Sequence, residues 1–123
     1  MKVILSIKPE FASKIFDGSK KYEFRRRLYK NTEVKIVIVY ASAPISKVIG
    51  EFEIEQVLHN DISSLWDQTQ LHSGISEDYY QQYFEGRESG YAIQVKSTKR
   101  YAVPLGIKEK YGVHPPQSFA YVP

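Results

Sequence analysis

The stretch from Glu33 to Leu58, EVKIVIVYASAPISKVIGEFEIEQVL, decides the fold that we predict for this chain of 123 residues. Its first part, EVKIVIVYAS, is rich in β-branched residues and is apolar on both faces of an extended chain. Strands of this kind are typical of the centre of a sheet, where neighbouring layers cover both faces. We therefore expect a central strand here.

A long strand, KVIGEFEIEQVL, follows the interruption APIS and contains one glycine that breaks its pattern. Three apolar residues are expected to face inward: Val48, Phe52 and Ile54. Three acids are expected to face water: Glu51, Glu53 and Glu55. Gly50 interrupts the alternation, and a glycine inside a strand favours a β-bulge or a bend. A curved sheet or a small barrel requires such a feature.

The amino-terminal segment adds a strand, a helix and a second strand. The apolar run KVILSI predicts a buried strand, and Pro9 then suits the first turn of a helix. Apolar residues recur at helical spacing as far as Asp17-Gly18, where glycine favours a helix end. The alternation in KKYEFRRRLY predicts a strand with its aromatic residues and leucine on one face and charged residues on the other.

The remainder of the chain changes from helix back to strand. Two short helices are predicted between Asp61 and Gly90, the second with Ser76 as its N-cap and Gly86 beyond its end. YAIQVKS and RYAVPL predict strands, and the tail YGVHPPQSFAYV predicts an extended loop and a final short strand. The order of elements predicts one α+β domain over residues 1–123, a small, mostly antiparallel, curved β-barrel flanked by short helices.

The composition excludes several kinds of site. The chain has no cysteine, which rules out disulfides, thiolate nucleophiles and cysteine-based zinc sites. Its three histidines, His59, His72 and His114, show no short metal-binding spacing, so we expect neither a metal nor a cofactor. The apolar run after Met1 is too short for a signal peptide or a membrane span, and a cytoplasmic protein without a membrane partner is expected.

Positive charge gathers in one segment of the chain. The net charge is +3, and six basic residues fall within a short stretch: Lys20, Lys21, Arg25, Arg26, Arg27 and Lys30. Glu23 is the single acid within GSKKYEFRRR. A carboxylate surrounded by cations stays ionised and is a good hydrogen-bond acceptor. The pattern fits a solvated strand whose ion pairs each contribute up to about 1 kcal/mol. Periodicity alone favours this interpretation, and a site for an anionic ligand is the alternative.

Three segments together resemble the ASCH domain family of the PUA-like superfamily: ILSIKPEFASKIFDGSKKYEFRRR, YASAP and HPPQSFAYV. The most specific part is the family motif Gly-x-Lys-x-x-Glu-x-Arg, which is matched by Gly18, Lys20, Glu23 and Arg25. The resemblance implies a small PUA-like barrel with a cleft beside this motif. It also implies binding of RNA or of a nucleotide or nucleoside, in connection with translation or transcription.

The same resemblance leaves an enzymatic role open. Some ASCH-like proteins are hydrolases, including an amidohydrolase that acts on N4-acetylcytidine and members that cleave RNA. In the amidohydrolase, a lysine and a threonine of the corresponding segment act with a distant glutamate. Here Lys20 matches the lysine, but Glu23 stands at the threonine position and cannot replace that hydroxyl as a nucleophile. Binding is therefore favoured, and Lys20 and Glu23 are the catalytic candidates of the alternative. Three acids are candidate partners for Lys20: Glu77, Glu85 and Glu88.

Further candidates for ligand contacts lie inside and outside the motif. Lys20 and Arg25 are expected to contact phosphate or base edges, with Glu23 orienting them or accepting from a base. Arg26 and Arg27 are expected to add non-specific attraction for RNA. The candidates from the other matching segments are Tyr40, Ser42, Gln117 and Ser118. Tyr40 would stack on a base, and turn capping is the alternative role of the serines.

A protein-interaction adaptor is a third interpretation. Tyrosine has a large apolar ring and a polar tip, which suits half-buried contact surfaces. In that case the tyrosine-rich helix, with Tyr79 and Tyr80, would form the contact.

Overall fold

The structure is a computed structural model and describes all residues from Met1 to Pro123. The strands are β1 (Lys2–Ile7), β2 (Tyr22–Arg25), β3 (Ile36–Ala41), β4 (Lys47–Asp61), β5 (Ser89–Leu105) and β6 (Phe119–Val122). The helices are α1 (Pro9–Asp17), α2 (Ile62–Thr69), α3 (Glu77–Tyr83) and α4 (Ile107–Tyr111), and a 3-10 turn, Gln70–His72, follows α2. No helix has the length and hydropathy of a membrane-spanning segment.

All six strands join one mixed sheet in the order β2-β5-β4-β3-β1-β6. Only β1 and β3 run parallel, and every other pair is antiparallel, which confirms the expectation of a mostly antiparallel α+β fold. The sheet is not closed into a barrel, because the edge strands β2 and β6 do not pair with each other. The expectation of a barrel is corrected in this respect.

Side chains, rather than a strand ladder, bridge the gap between the two edges. β2 ends at Arg25, where the run of three arginines begins. The arginine run continues beyond the end of β2, where the chain becomes an irregular segment that leads to β3. As this segment passes β6, the Tyr121 hydroxyl accepts from the N–H groups of Lys30 (2.9 Å) and Asn31 (3.0 Å).

The bulge expected at Gly50 is present. The β4–β5 pairing shifts register between Val48 and Gly50, and the β3–β4 pairing shifts between Val39 and Tyr40. Val48 and Phe52 therefore pack in two different apolar clusters, on opposite faces of the sheet. The expectation that these two residues share an inward face is wrong, because the bulge reverses the alternation beyond it.

Two features of the carboxyl-terminal half differ from the expectation. The two predicted strands are one continuous strand, β5, which pairs with β4 from Asp61↔Ser89 to Val48↔Leu105. The short helix α4 lies between the predicted strand RYAVPL and the predicted loop, where no element was expected, and its Ile107 is buried against the face of the sheet opposite α1. Both differences come from long-range packing.

The two helices predicted before β5 are confirmed, and Ser76 caps α3 by accepting from the Tyr79 N–H at 3.1 Å.

We predict that Gly50→Ala lowers the free energy of unfolding by about 1–3 kcal/mol through overpacking. A Cβ at this position would lie 2.6 Å from the Lys99 carbonyl oxygen and 2.6 Å from Phe16 Cζ, so backbone and ring would both have to move. Urea denaturation measures the change, with Glu55→Ala at an exposed position of the same strand as the control. A Gly50→Ala change within about 0.5 kcal/mol of wild type, as at an ordinary surface site, would contradict the close packing.

Candidate functional site

A cavity of about 150 Å³ lies among the end of β1, the start of α1, β2 and α3. Six of its eleven lining residues are hydrophobic, and three others are cationic. The lining residues are Ser6, Ile7, Lys8, Phe11, Lys20, Glu23, Phe24, Arg25, Ile75, Tyr79 and Tyr83. An apolar pocket with a few converging polar groups is typical of a ligand site.

Lys20 is buried in the wall of this cavity, with 2% of its surface exposed. Its ammonium donates to the Ser73 carbonyl at 2.7 Å and lies 5.3 Å and 4.9 Å from the ring centroids of Phe11 and Phe24. These cation–π contacts and the hydrogen bond replace part of the lost hydration. Burial lowers the pKa of Lys20 from 10.5 to about 8, although the nearby Glu23 carboxylate acts in the opposite direction. Both protonation states are therefore accessible close to neutral pH.

Local backbone geometry determines where Lys20 lies. Gly18 ends α1 in the left-handed conformation, with φ of 88°, and the Lys20 N–H then donates to the Lys14 carbonyl at 3.0 Å. Gly74 packs directly on the lysine stem, because a Cβ there would come within 2.5 Å of Lys20 Cβ. Its φ of +70° also favours glycine. The turn before α3 is thereby held against the motif.

Glu23 and Arg25 form an ion pair beside Lys20. Arg25 Nη2 lies 3.3 Å from Glu23 Oε2 and also donates to the Ser6 carbonyl at 3.0 Å. Glu23 is 7% exposed and the Arg25 side chain 13%, so this pair does not lie on a solvated strand face. Arg25 Nε is buried without an acceptor in the protein. This is one of only two buried side-chain donors or acceptors in the protein that have no hydrogen-bond partner, the other being the Tyr29 hydroxyl.

A second depression, of about 260 Å³, is strongly basic and shares Arg25 and Tyr83 with the cavity. Seven residues line it, of which four are arginines and none is acidic. They are Arg25, Arg26, Arg27, Tyr83, Arg87, Gln117 and Ser118. Arg26 is fixed there, because its Nε donates to the Tyr83 carbonyl at 2.7 Å and its guanidinium lies 4.1 Å from the Tyr83 ring centroid. This depression is referred to below as the arginine groove.

The structure therefore brings together seven of the nine predicted ligand residues, in the cavity or the groove. Tyr40 and Ser42 line neither of them. Tyr40 is 6% exposed and packs in the cluster that contains Ile107, on the face of the sheet away from α1. Ser42 lies in the turn after β3, where its N–H donates to the Ile7 carbonyl at 3.0 Å.

Of the further candidate residues for the alternative functions, only Tyr79 lines the cavity. The three acids considered as partners of Lys20 are exposed and do not line the cavity: Glu77, Glu85 and Glu88. Tyr80, a residue of the adaptor interpretation, is fully buried and donates to the Ile62 carbonyl at 2.6 Å. Tyr79 is half-buried and lines the cavity. The structure contains no group of three or more His, Asp or Glu side chains arranged to hold a metal ion.

Nine lining residues of the two depressions are not among the predicted ligand residues, and three of them show why. Phe11 lines the cavity from α1, Tyr83 lines both depressions from α3, and Arg87 lines the groove from the turn that follows. Phe11 and Tyr83 carry the apolar spacing of ordinary helix residues. Arg87 lies about sixty residues from the basic cluster, so no local pattern connects it with the motif. Only the fold brings these residues to one site.

Comparison with known proteins gives a consistent result. The sequence profile of the ASCH domain matches residues 5–109. The "ASCH domain-containing ribonuclease" of Zymomonas mobilis is 30% identical over 123 residues, which cover 97% of this chain and 82% of that protein. The crystal structure of ASCH from Zymomonas mobilis superposes with a TM-score of 0.91 at 31% identity, covering 99% of this chain and 87% of that one.

A longer relative also matches over nearly the full chain. The "Large ribosomal subunit protein uL22" of Ureaplasma parvum serovar 3 is 31% identical over 120 residues, or 98% of this chain. The chain spans only 39% of the length of that relative.

We predict that Lys20 makes the stability of the protein rise with pH above neutrality. Because burial lowers its pKa from 10.5 to about 8, the unfolded chain binds more protons than the folded chain between these pH values. Relative to Lys20→Met, the wild type should gain about 2 kcal/mol of stability between pH 7 and about pH 9.5. Urea unfolding at several pH values measures this difference.

Lys21→Met removes an exposed lysine next in sequence and is the matched control. We expect its stability to follow the pH dependence of the wild type. Parallel curves for wild type and Lys20→Met would show that Lys20 does not titrate in this range.

Proposed function

The chain belongs to the ASCH domain family, and we propose that it binds single-stranded RNA, with one base in the cavity and the adjoining phosphates along the arginine groove. The observation that carries this proposal is that the two depressions are adjacent, because both are lined by Arg25 and Tyr83. A pocket for one base and a cationic path for the backbone are the two parts that a single-strand binder combines. The name of the Zymomonas relative, a ribonuclease, supports RNA as the ligand.

The cavity suits a single planar ring. A protein cavity of about 150 Å³ holds one benzene molecule, and the volume here is similar. Phe11 and Tyr79 supply apolar walls, and Glu23 supplies an acceptor for a base amino group. Lys20 uses one N–H in its bond to Ser73 and keeps further donors for a base oxygen or nitrogen.

The groove suits the sugar–phosphate backbone. Four guanidinium groups without an acidic neighbour in the lining attract phosphates, and Arg26 is already held in place by Tyr83. Gln117 and Ser118, on the opposite wall, add neutral donors for phosphate or sugar oxygens. Contacts of this kind do not depend on base sequence.

A role in translation is supported by the ribosomal relative in Ureaplasma parvum.

Cleavage of the bound RNA is a second candidate function, favoured by the pKa of about 8 at Lys20. At pH 7 about one-tenth of such an amine is neutral. The neutral amine would accept the proton of a ribose 2′-hydroxyl as its oxygen attacks the adjacent phosphorus. The bond from phosphorus to the 5′-oxygen breaks, and that oxygen takes a proton from water. Arg25 would stabilise the charge on the phosphate oxygens.

We predict that Arg87→Ala weakens RNA binding and makes it less sensitive to salt. For single-stranded nucleic acid, each phosphate contact contributes about 0.7 to the slope of log affinity against log salt concentration. The slope should fall by about this amount when Arg87 is removed. Fluorescence anisotropy with a labelled oligouridylate of about eight nucleotides measures it at several salt concentrations.

The matched control is Lys108→Ala, which removes an exposed cation from α4 on the other side of the sheet. Its affinity and salt slope should equal those of the wild type. No binding by the wild type at low salt would overturn the proposed function. Equal slopes for Arg87→Ala and Lys108→Ala would remove Arg87 from the phosphate path.

For the second candidate function, we predict that any cleavage of the same oligonucleotide is lost in Lys20→Met. The cleavage rate of the wild type should rise with pH and level off above about 8, because the base form of Lys20 acts. Gel analysis of end-labelled RNA after incubation measures the products. Full cleavage by Lys20→Met would contradict the role of the lysine, and intact RNA with tight binding would leave binding as the function.

A further inference from the structure

Two aromatic side chains on β6 stand apart from all the others in the protein. The chain has six Phe, one Trp and ten Tyr, and only Phe119 and Tyr121 among them are exposed. Each has 37% of its surface exposed, whereas the other aromatic residues are buried or half-buried. Two exposed rings that contact each other form a contiguous apolar patch, and such patches often mark binding sites.

Both rings lie on one side of an edge strand. Phe119 is paired with Leu5 and Tyr121 with Val3 in the register of β6 on β1. Leu5 and Val3 both point into the apolar cluster under α1, so the two rings project to that same face of the sheet. Tyr29, a buried member of the same cluster, packs behind them.

Phe119 continues directly from the arginine groove. Gln117 and Ser118 line the groove, and Phe119 is the next residue of the chain. Arg27 lines the opposite wall, and the exposed Lys30 follows it in sequence. The N–H of Lys30 donates to the Tyr121 hydroxyl, which places that residue beside the ring. The rings therefore lie next to the groove and to the segment of chain that carries Arg27 and Lys30.

The two rings are held in fixed positions before any ligand binds. Their centroids are 5.3 Å apart in an edge-to-face arrangement, and Tyr29 meets them edge to face at 6.2 Å and 6.5 Å. The Tyr121 hydroxyl accepts two backbone hydrogen bonds, from Lys30 and Asn31. A ring that is already immobilised loses little entropy when a second ring stacks on it.

We propose that Phe119 and Tyr121 form a stacking platform for a second base of a single-stranded nucleic acid, beyond the phosphates held in the arginine groove. This inference rests on the proposed function and extends its binding site past the cavity. Aromatic rings beside a cationic groove are what base stacking requires, and every base has a π-face, so the platform is independent of sequence. A nucleic-acid strand fits a surface that adjoins a groove lined by four arginines and no acid, because its phosphates are negatively charged.

The test is the affinity of Phe119 variants for the labelled oligouridylate of about eight nucleotides. Phe119→Ala and Phe119→Leu both remove the ring, whereas Phe119→Tyr keeps it. We expect Phe119→Ala and Phe119→Leu to raise the dissociation constant about five- to 150-fold. This range corresponds to the loss of about 1–3 kcal/mol for one stacked base. Phe119→Tyr should stay within about twofold of the wild type. The control Val103→Ala, at a 70% exposed apolar residue of β5, should have no effect.

A second arm locates the stacked base. Oligonucleotides with one abasic position, moved along the strand, are titrated against wild type and Phe119→Ala. At one position the abasic change should weaken binding to the wild type but cause no further loss in Phe119→Ala, because both changes remove the same contact. Thermal denaturation of each variant checks that the fold is kept.

The outcomes separate this inference from the proposed function. Binding that depends on Arg87 but not on Phe119 would overturn the platform and leave RNA binding intact. Additive losses at every abasic position would also overturn the platform. A dimer of the wild type that Phe119→Ala dissociates, with RNA affinity unchanged, would assign the rings to self-association and overturn the platform. No binding of RNA by the wild type at low salt would overturn both.

Discussion

The burial of one lysine ammonium constrains the site more than any other interaction in this protein. An ammonium removed from water needs compensating contacts, and Lys20 finds them in the Ser73 carbonyl, in the rings of Phe11 and Phe24 and in the nearby Glu23. These groups come from α1, from β2 and from the turn before α3. The requirement to surround one charge thus holds together three parts of the chain that form the cavity.

The same constraint explains why small residues surround the lysine. Gly74 has no room for a side chain because the stem of Lys20 occupies that space. Gly18 turns the chain out of α1 so that Lys20 points inward rather than continuing the helix. In these surroundings the pKa of the Lys20 ammonium is about 8. The side chain can therefore donate hydrogen bonds when protonated and act as a base after it loses a proton near neutral pH.

The open edge of the sheet gives the protein its basic groove. Had β2 and β6 paired, the ladder would have filled the space between Arg25 and Ser118, which is where the groove lies. The run of arginines ends β2 after four residues, and the Tyr121 hydroxyl then fixes the crossing segment. The open edge and the cationic path therefore lie at the same place in the fold, because Arg25, Arg26 and Arg27 line the groove where β2 ends.

Features that depend on near neighbours could be predicted from the sequence alone. The cap at Ser76, the bulge at Gly50 and the motif around Lys20 all follow from residues a few positions apart, and the structure contains each of them. Only the tertiary structure decided that β5 is one strand, that Tyr40 faces away from α1 and that Tyr83 and Arg87 join the motif. These outcomes depend on pairing and packing between residues far apart in the chain, where the energy of a contact is not encoded in any local pattern.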